Sequence, residues 1–302
     1  MIMTRFTLKA VAATLLLATP VLAEPAIYDS PQAALEAMIQ ALSDADRDAV
    51  LTVFGKESED FLSDGDPAED AANREELLRL YREGYRMEPQ EDGSVVLALG
   101  ADGWPFPIPL AKSGDSWSFD IETGREEVQL REIGLNELDV VDLLDAYVDI
   151  QSVFRLQDHD GDGVKEFAAQ IISSSEEARD GLFWPAPDSP LGELFARASA
   201  TGFNDGETDR EPEPFAGYYF RILTAQGDAA PGGAMDYIVN GNMVAGHALL
   251  AVPAIFGETG IHSFMVAENG VILEAVLGED TLVRAAEIVA YDPTEEWTPF
   301  SE

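Results

Sequence analysis

Carboxylate side chains outnumber basic ones by 57 to 18 along this 302-residue chain, a formal net charge of −39. No other feature narrows its fold and its partners as much. So large a charge of one sign resists aggregation in brine and costs self-repulsion in dilute buffer. The acids are spread along the whole chain with few lysines among them, as on the surface of a salt-adapted protein. Binding to a phosphate backbone needs clustered Lys and Arg, so nucleic acid is excluded as a partner. Apolar residues make up 46% of the chain, enough for one or two packed cores, which excludes wholesale disorder. Cysteine is absent, and with it disulfides, thiol nucleophiles, Cys-ligated zinc and iron–sulfur clusters.

Residues 1–23 read as an export signal. Arg5 and Lys9 supply a positive start, residues 10–18 an apolar run, and Val21-Leu22-Ala23 small residues at a cleavage site. Cleavage after Ala23 is expected, giving a periplasmic or secreted protein. No later segment has the length of apolar sequence that a bilayer span needs, so no transmembrane anchor is expected after signal cleavage.

Ser30-Pro31 has the form of an N-cap followed by a proline in the first helical position. Leu35, Met38, Ile39 and Leu42 then fall on one helical face. Further helices are predicted over 46–54, stopping at Gly55, and over 69–86, with Leu77, Leu80, Tyr81 and Tyr85 on the buried side. Strands are predicted over 95–99, 106–111 and 117–121, the last two joined by the Ser113-Gly114-Asp115 turn. Helices followed by a short antiparallel meander predict a small α+β domain over 24–122.

A second α+β domain is predicted over 123–302. Its helical region covers 124–157, bent at Gly134. Val140, Leu143, Leu144, Tyr147, Ile150 and Phe154 form its apolar stripe, and Asp139, Asp142, Asp145 and Asp149 a solvated acidic one. One helix, capped by Ser189-Pro190 and ended by Gly202, is expected within 176–214. Strands follow over 218–224, 235–239, 243–252, 261–267 and 271–277, with a last helix over 280–290. Asn240-Gly241 is a two-residue hairpin signal and Glu268-Asn269-Gly270 a second turn. The expected architecture is a long helix lying on an antiparallel sheet.

Asp158-His159-Asp160-Gly161-Asp162-Gly163-Val164-Lys165-Glu166 has the spacing of a calcium loop. Calcium needs six to eight oxygens, and Asp at positions 1, 3 and 5 points three carboxylates at one centre. Gly163 at position 6 permits the sharp turn, the Val164 carbonyl is the position 7 ligand, and Glu166 stands at position 9. Position 12, ordinarily a bidentate Glu, is Ala169, so another group must complete the shell. A structural Ca2+ is the cofactor this spacing predicts.

No nucleophile elbow, phosphate loop, dinucleotide fingerprint or His-Glu-x-x-His zinc motif occurs, and no catalytic residue is assigned. His247 and His262 fall in strand-like runs and are read as packed or surface residues. A glycosidase-type carboxylate pair cannot be singled out among so many acids. Trp104 and Trp184, in Gly/Pro-rich loops, are candidates for stacking on a ligand, set against the plainer reading of loop plugs packed on the core.

Several phrases together carry a resemblance to a known family. They are Pro105-Phe106-Pro107-Ile108-Pro109, Gly124-Arg125-Glu126-Glu127, the run 133–138, Asp160-Gly161-Asp162-Gly163 and Asp180-Gly181-Leu182-Phe183-Trp184-Pro185. The run 217–227 (GYYFRILTAQG) and Pro231-Gly232-Gly233-Ala234 complete them. The chain resembles the exported bacterial family catalogued as domain of unknown function 2950, which implies location and architecture but no reaction. Residues 135–277 also resemble the globular part of type IV pilins and pseudopilins. The resemblance rests on Asn136-Glu137 opening a helix, a Gly- and Asp-rich loop, Tyr218-Tyr219-Phe220 and Ala251-Val252-Pro253. Here an acidic α+β domain precedes the helix in place of a pilin's apolar anchor.

Three functions follow as expectations. The first is a non-enzymatic binding or assembly protein acting on an envelope protein or polymer. The second is a carboxylate-dependent hydrolase of an envelope polysaccharide or peptide. The third is a small-ligand binder using a cavity in the N-terminal domain.

Overall fold

The computed structural model describes residues 24–63, 65–199, 203–204 and 209–301. The expected signal segment, its cleavage site and the helix end at Gly202 lie outside the described residues. The fold is α+β. The chain divides into two compact units, one ending at Glu127 and the other beginning at Val128.

The first unit opens with α1 (Pro31–Ser43), α2 (Arg47–Phe54), a short α3 (Glu59–Leu62) and α4 (Pro67–Glu83). The Ser30 side chain accepts from the Ala33 amide, and Asp46 and Asp66 cap α2 and α4 in the same way. Each cap satisfies a helix N–H that has no partner within the helix. Strands β1 (Tyr85–Pro89), β2 (Val95–Leu99), β3 (Trp104–Pro105), β4 (Leu110–Ser113) and β5 (Ser116–Phe119) form an antiparallel sheet in the order β1-β2-β4-β5, with β3 also on β2. Leu35 and Met38 from α1, Phe54 from α2 and Leu97, Leu99, Leu110 and Phe119 from the sheet are buried together.

Two expectations here are corrected. The third predicted helix stops at Glu83, because Gly84 takes φ 142° and turns the chain. Tyr85, expected on a buried helix face, instead starts an exposed strand paired with Leu99. Of the strand expected over 106–111 only Leu110 and Ala111 are strand, the start of β4, and β3 lies just before the expected range. Pro105, Pro107 and Pro109 lack the N–H a continuous ladder needs.

A 34-residue helix, α5 (Ile121–Phe154), runs unbroken through Gly134. It starts at Ile121, which had been expected to end a strand. Asn136 and Glu137 lie inside it rather than opening a helix. From Val128 onward α5 belongs to the second unit.

That unit continues with a parallel pair, β6 (Gln170–Ile172) and β7 (Gly181–Phe183), then α6 (Glu193–Ala196) and the pair β8 (Phe203–Asn204) and β9 (Asp209–Arg210). The helix expected in this region is only α6, preceded by Gly192. The Ser189 hydroxyl is used elsewhere, holding Trp184 N, Leu182 O and Leu191 O. Next come β10 (Tyr218–Leu223), β11 (Ala225–Gln226), β12 (Met235–Asp236), β13 (Ile238–Val239), β14 (Asn242–Met243), β15 (Ala248–Pro253), β16 (Ser263–Ala267) and β17 (Leu273–Ala275). Helix α7 (Thr281–Glu287) and β18 (Thr298–Pro299) complete it.

The main sheet is antiparallel in the order β10-β15-β16-β17-β18. The strand predicted over 243–252 breaks into β14 and β15, which lie in different sheets, and 235–239 likewise splits at Tyr237. Asn240 and Gly241 take φ 54° and 98°, the left-handed pair that closes the β13–β14 hairpin. Every residue of β15 and β16 is buried, so these strands read as continuous apolar runs rather than alternating ones. The α5 stripe packs into the same core: Val140, Leu144, Tyr147 and Phe154 are buried, and the Tyr147 hydroxyl donates to Ala248 O at 3.2 Å. Asp139, Asp142, Asp145 and Asp149 are all exposed on α5, the solvated face their spacing implies. Among the described residues no helix is long and apolar enough to cross a membrane.

Candidate functional site

Beyond the end of α5 the chain turns through two glycines in the left-handed region, Gly161 (φ 80°) and Gly163 (φ 95°). This brings the carboxylates of Asp158, Asp160 and Asp162 together. One oxygen of each lies within 4.8 Å of the others, and all three side chains are exposed. Such a cluster could hold a metal ion. The loop is also wound on its own carboxylates. Asp158 accepts from the Gly161 and Gly163 amides at 2.8 and 2.9 Å, Asp160 from Asp162 N at 3.1 Å, and Asp162 from Val164 N at 2.7 Å. Desolvation would raise the Asp158 pKa, but the Gly161 and Gly163 amides lead a set of hydrogen bonds that holds it below the ordinary aspartate range.

Glu166 stands differently. Its carboxylate is half-buried and accepts from Met243 N at 2.8 Å, while Phe167 N donates to Met243 O at 2.8 Å. Burial raises its pKa, as do the charges of Asp160, Asp162 and Asp180, against the lowering effect of the Met243 amide. One residue earlier, Asn242 Nδ2 donates to Asp162 Oδ2 at 2.5 Å. The β13–β14 hairpin therefore grips the Asp-rich turn at two points. Val164 is exposed.

The loop's second residue points inward. The His159 ring stacks on Phe154 at 4.0 Å between centroids, lies 6.0 Å from Trp184, and its Nε2 bonds to Phe154 O at 3.0 Å. Trp184 is 2% exposed, so the loop-plug reading describes most of its surface. Its Nε1 donates to Asp188 at 3.0 Å, and the Arg179 guanidinium lies 4.9 Å over its ring. Trp104 belongs to the first unit, 40% exposed on β3 and edge-on to Phe106.

The other histidines are structural. His247 is buried against Tyr147 and Phe167, and burial, with a smaller push from Arg155, takes its pKa down to about 4. His262 Nδ1 donates to Glu137 Oε2 at 3.1 Å. Glu137 Oε1 accepts from the Ile261 and His262 amides at 2.8 and 2.9 Å, and Asn136 Nδ2 donates to Thr259 O at 3.0 Å. The Asn136-Glu137 pair is thus a clasp on the 259–262 segment. Among the described residues the Asp158, Asp160 and Asp162 group is the one three-membered cluster of metal-ligating side chains.

These features define an acidic α+β protein whose long helix ends in a cation-type aspartate loop gripped by a hairpin. The chain belongs to the family described as "Protein of unknown function (DUF2950)", whose profile matches residues 26–300. No curated protein and no solved structure matches it.

Sequence reasoning named the three aspartates but missed Asn242. The Asn240-Gly241 turn marked the hairpin, yet no sequence signal tied that hairpin to a loop about 80 residues earlier.

Proposed function

We propose that this is an exported protein, periplasmic or secreted, that acts by binding or assembly on an envelope protein or polymer and carries a structural Ca2+ in the 158–166 loop. The observation that carries the metal is the convergence of Asp158, Asp160 and Asp162 on an exposed turn. Three adjacent carboxylates repel one another, and a hard dication that takes six to eight oxygens relieves that repulsion. The Val164 carbonyl and Glu166 fit positions 7 and 9. With Ala169 at position 12, Asn242 is the group proposed to complete the shell, since its amide already touches Asp162 and can turn its oxygen toward the ion. The affinity expected is that of extracellular calcium modules, about 0.1 to 1 mM. The ion's role is to hold the turn after α5 against the hairpin. Export rests on the positive start, apolar run and small-residue site of residues 1–23.

Melting in 10 mM calcium against chelator at matched ionic strength tests the site. Binding to the folded state alone adds about 1.4 to 2.7 kcal/mol at that concentration, a rise of several degrees. An unchanged melting temperature, or an equal rise in the Asp160→Asn/Asp162→Asn variant, overturns it. N-terminal sequencing of the exported form should read from Glu24, and an intact Met1 on a membrane-bound chain overturns export.

A further inference from the structure

Two pockets of the second unit differ in what they present. One of about 500 Å³, beside the end of α5, is walled by 149–159 and 179–190. Its buried rings are closed off: His159 stacks on Phe154, and the Arg179 guanidinium lies over Trp184. The other, of about 280 Å³, lies between the main sheet and α7. Tyr219 and Arg221 of β10 stand opposite Val252 and Leu250 of β15, so the four share one face of the sheet. Leu282, Ala285 and Ala286 of α7 line the same recess.

Arg221 and the Tyr219 hydroxyl are the polar side-chain groups of this second pocket, and no carboxylate is among the described residues that line it. In a chain with 57 acidic and 18 basic side chains, that sets Arg221 apart. Arg47, Arg125, Arg179 and Arg284 each touch a carboxylate, whereas Arg221 touches none among the described residues. It is half-buried, and burial lowers its pKa with no neighbouring charge to offset it. One nitrogen is in use: Nη2 donates to Ala285 O and Ile288 O at the end of α7, which fixes the guanidinium in place. Nε, Nη1 and the Tyr219 hydroxyl donate to no protein group among the described residues. A desolvated cation is costly without a counter-charge, and a guanidinium pairs strongly with a carboxylate. The recess therefore offers spare donors and apolar walls but no anion of its own.

We infer that this pocket binds a small monocarboxylate with an apolar body, an alkanoate or arylalkanoate. Arg221 is its counter-charge, the Tyr219 hydroxyl a second donor, and Leu250, Val252, Leu282 and Ala286 surround the body. The volume is at the lower end of small-molecule sites, which limits the body to a short chain or a single ring. The inference rests neither on a metal in the aspartate loop nor on the binding or assembly reading.

Ligand-observed NMR titration of the full mature chain, with about 0.15 M NaCl to screen the general negative surface, tests it. Octanoate and 3-phenylpropionate are the probes, each set against the alcohol of the same body. At least one acid should bind with Kd of about 1 mM, roughly tenfold tighter than its alcohol. Arg221→Gln should bring that acid down to the affinity of the alcohol. Because Arg221 also holds α7, two further variants leave it in place. Tyr219→Phe should weaken the acid about threefold and leave the alcohol unchanged. Ala286→Trp, at an exposed position of α7, should fill the recess and abolish binding of both. The inference is overturned if neither acid binds, if each acid binds no tighter than its alcohol, or if Tyr219→Phe and Ala286→Trp both bind the acid as the unaltered chain does.

Discussion

Asn242 Nδ2 donates to Asp162 Oδ2 at 2.5 Å, and the amide of the next residue, Met243, donates to Glu166. Two consecutive residues of one short strand therefore hold both ends of the 162–166 stretch. Asn242→Ala removes the side-chain half of that grip. It should cost about 1 kcal/mol without metal, the net worth of a partly exposed hydrogen bond to a charged group. If Asn242 also serves the ion, the stabilisation by calcium should fall as well. Urea denaturation of both proteins, with calcium and with chelator, separates the two effects.

Glu166 makes a pH prediction of defined sign. Its folded pKa lies above the ordinary 4.5. Such a carboxyl costs nothing below the unfolded value, loses stability as pH rises through its folded pKa, and carries the whole penalty at neutral pH. Glu166→Gln removes the charge and keeps an oxygen for the Met243 amide. In chelator the variant should equal or exceed the unaltered protein in stability at pH 7.5, and the difference should vanish below pH 4.5. A variant less stable at pH 7.5 in chelator would refute this account.

His247 acts in the opposite direction. Burial takes its pKa from 6.5 to about 4, so the unfolded chain binds a proton that the folded one excludes. Its contribution is full above pH 6.5 and declines as pH falls toward 4, by roughly 3 kcal/mol in all. Among the described residues its Nδ1 also has no hydrogen-bond partner. His247→Leu should therefore flatten this acid-side decline, visible as a smaller drop in unfolding free energy between pH 7 and pH 4.5.

Glu137 is the residue whose loss should damage the fold most among the acids discussed. It receives the Ile261 and His262 amides and the His262 ring, and its side chain is 17% exposed. Glu137→Ala leaves those donors without their acceptor and should cost about 3 kcal/mol; Glu137→Gln, which keeps one oxygen, should cost about half as much. Chemical denaturation of the two variants side by side checks the ratio.

What could be read from the sequence was local. Ser30-Pro31 and Asn240-Gly241 act through their own backbone geometry, so the α1 start and the β13–β14 hairpin were legible. The three aspartates of the loop were legible for the same reason, since a nine-residue turn carries its own spacing. Tyr85 misled because it continues a helical apolar stripe from Leu77 and Tyr81, while Gly84 between them was the stop. The strand over 106–111 misled because apolar pattern outweighed Pro107 and Pro109 within it. Glu137 with His262, Asp162 with Asn242, and His159 with Trp184 depend on how distant segments meet, and nothing in their sequence neighbourhoods marks those meetings. The pocket beside α5 belongs to the same class, assembled from 149–159 and 179–190.

His159 is a member of the aspartate loop by sequence and a wall of the pocket by position. Its backbone lies between Asp158 and Asp160, while its ring is fixed by Phe154. A ligand that orders this ring orders the loop, and an ion that orders the loop orders the ring. Thermodynamic reciprocity then applies: a solute that raises the loop's affinity for a cation has its own affinity raised by the same factor. The backbone of one residue thus ties the turn to one side of the pocket beside α5, so a change that shifts either is felt by the other.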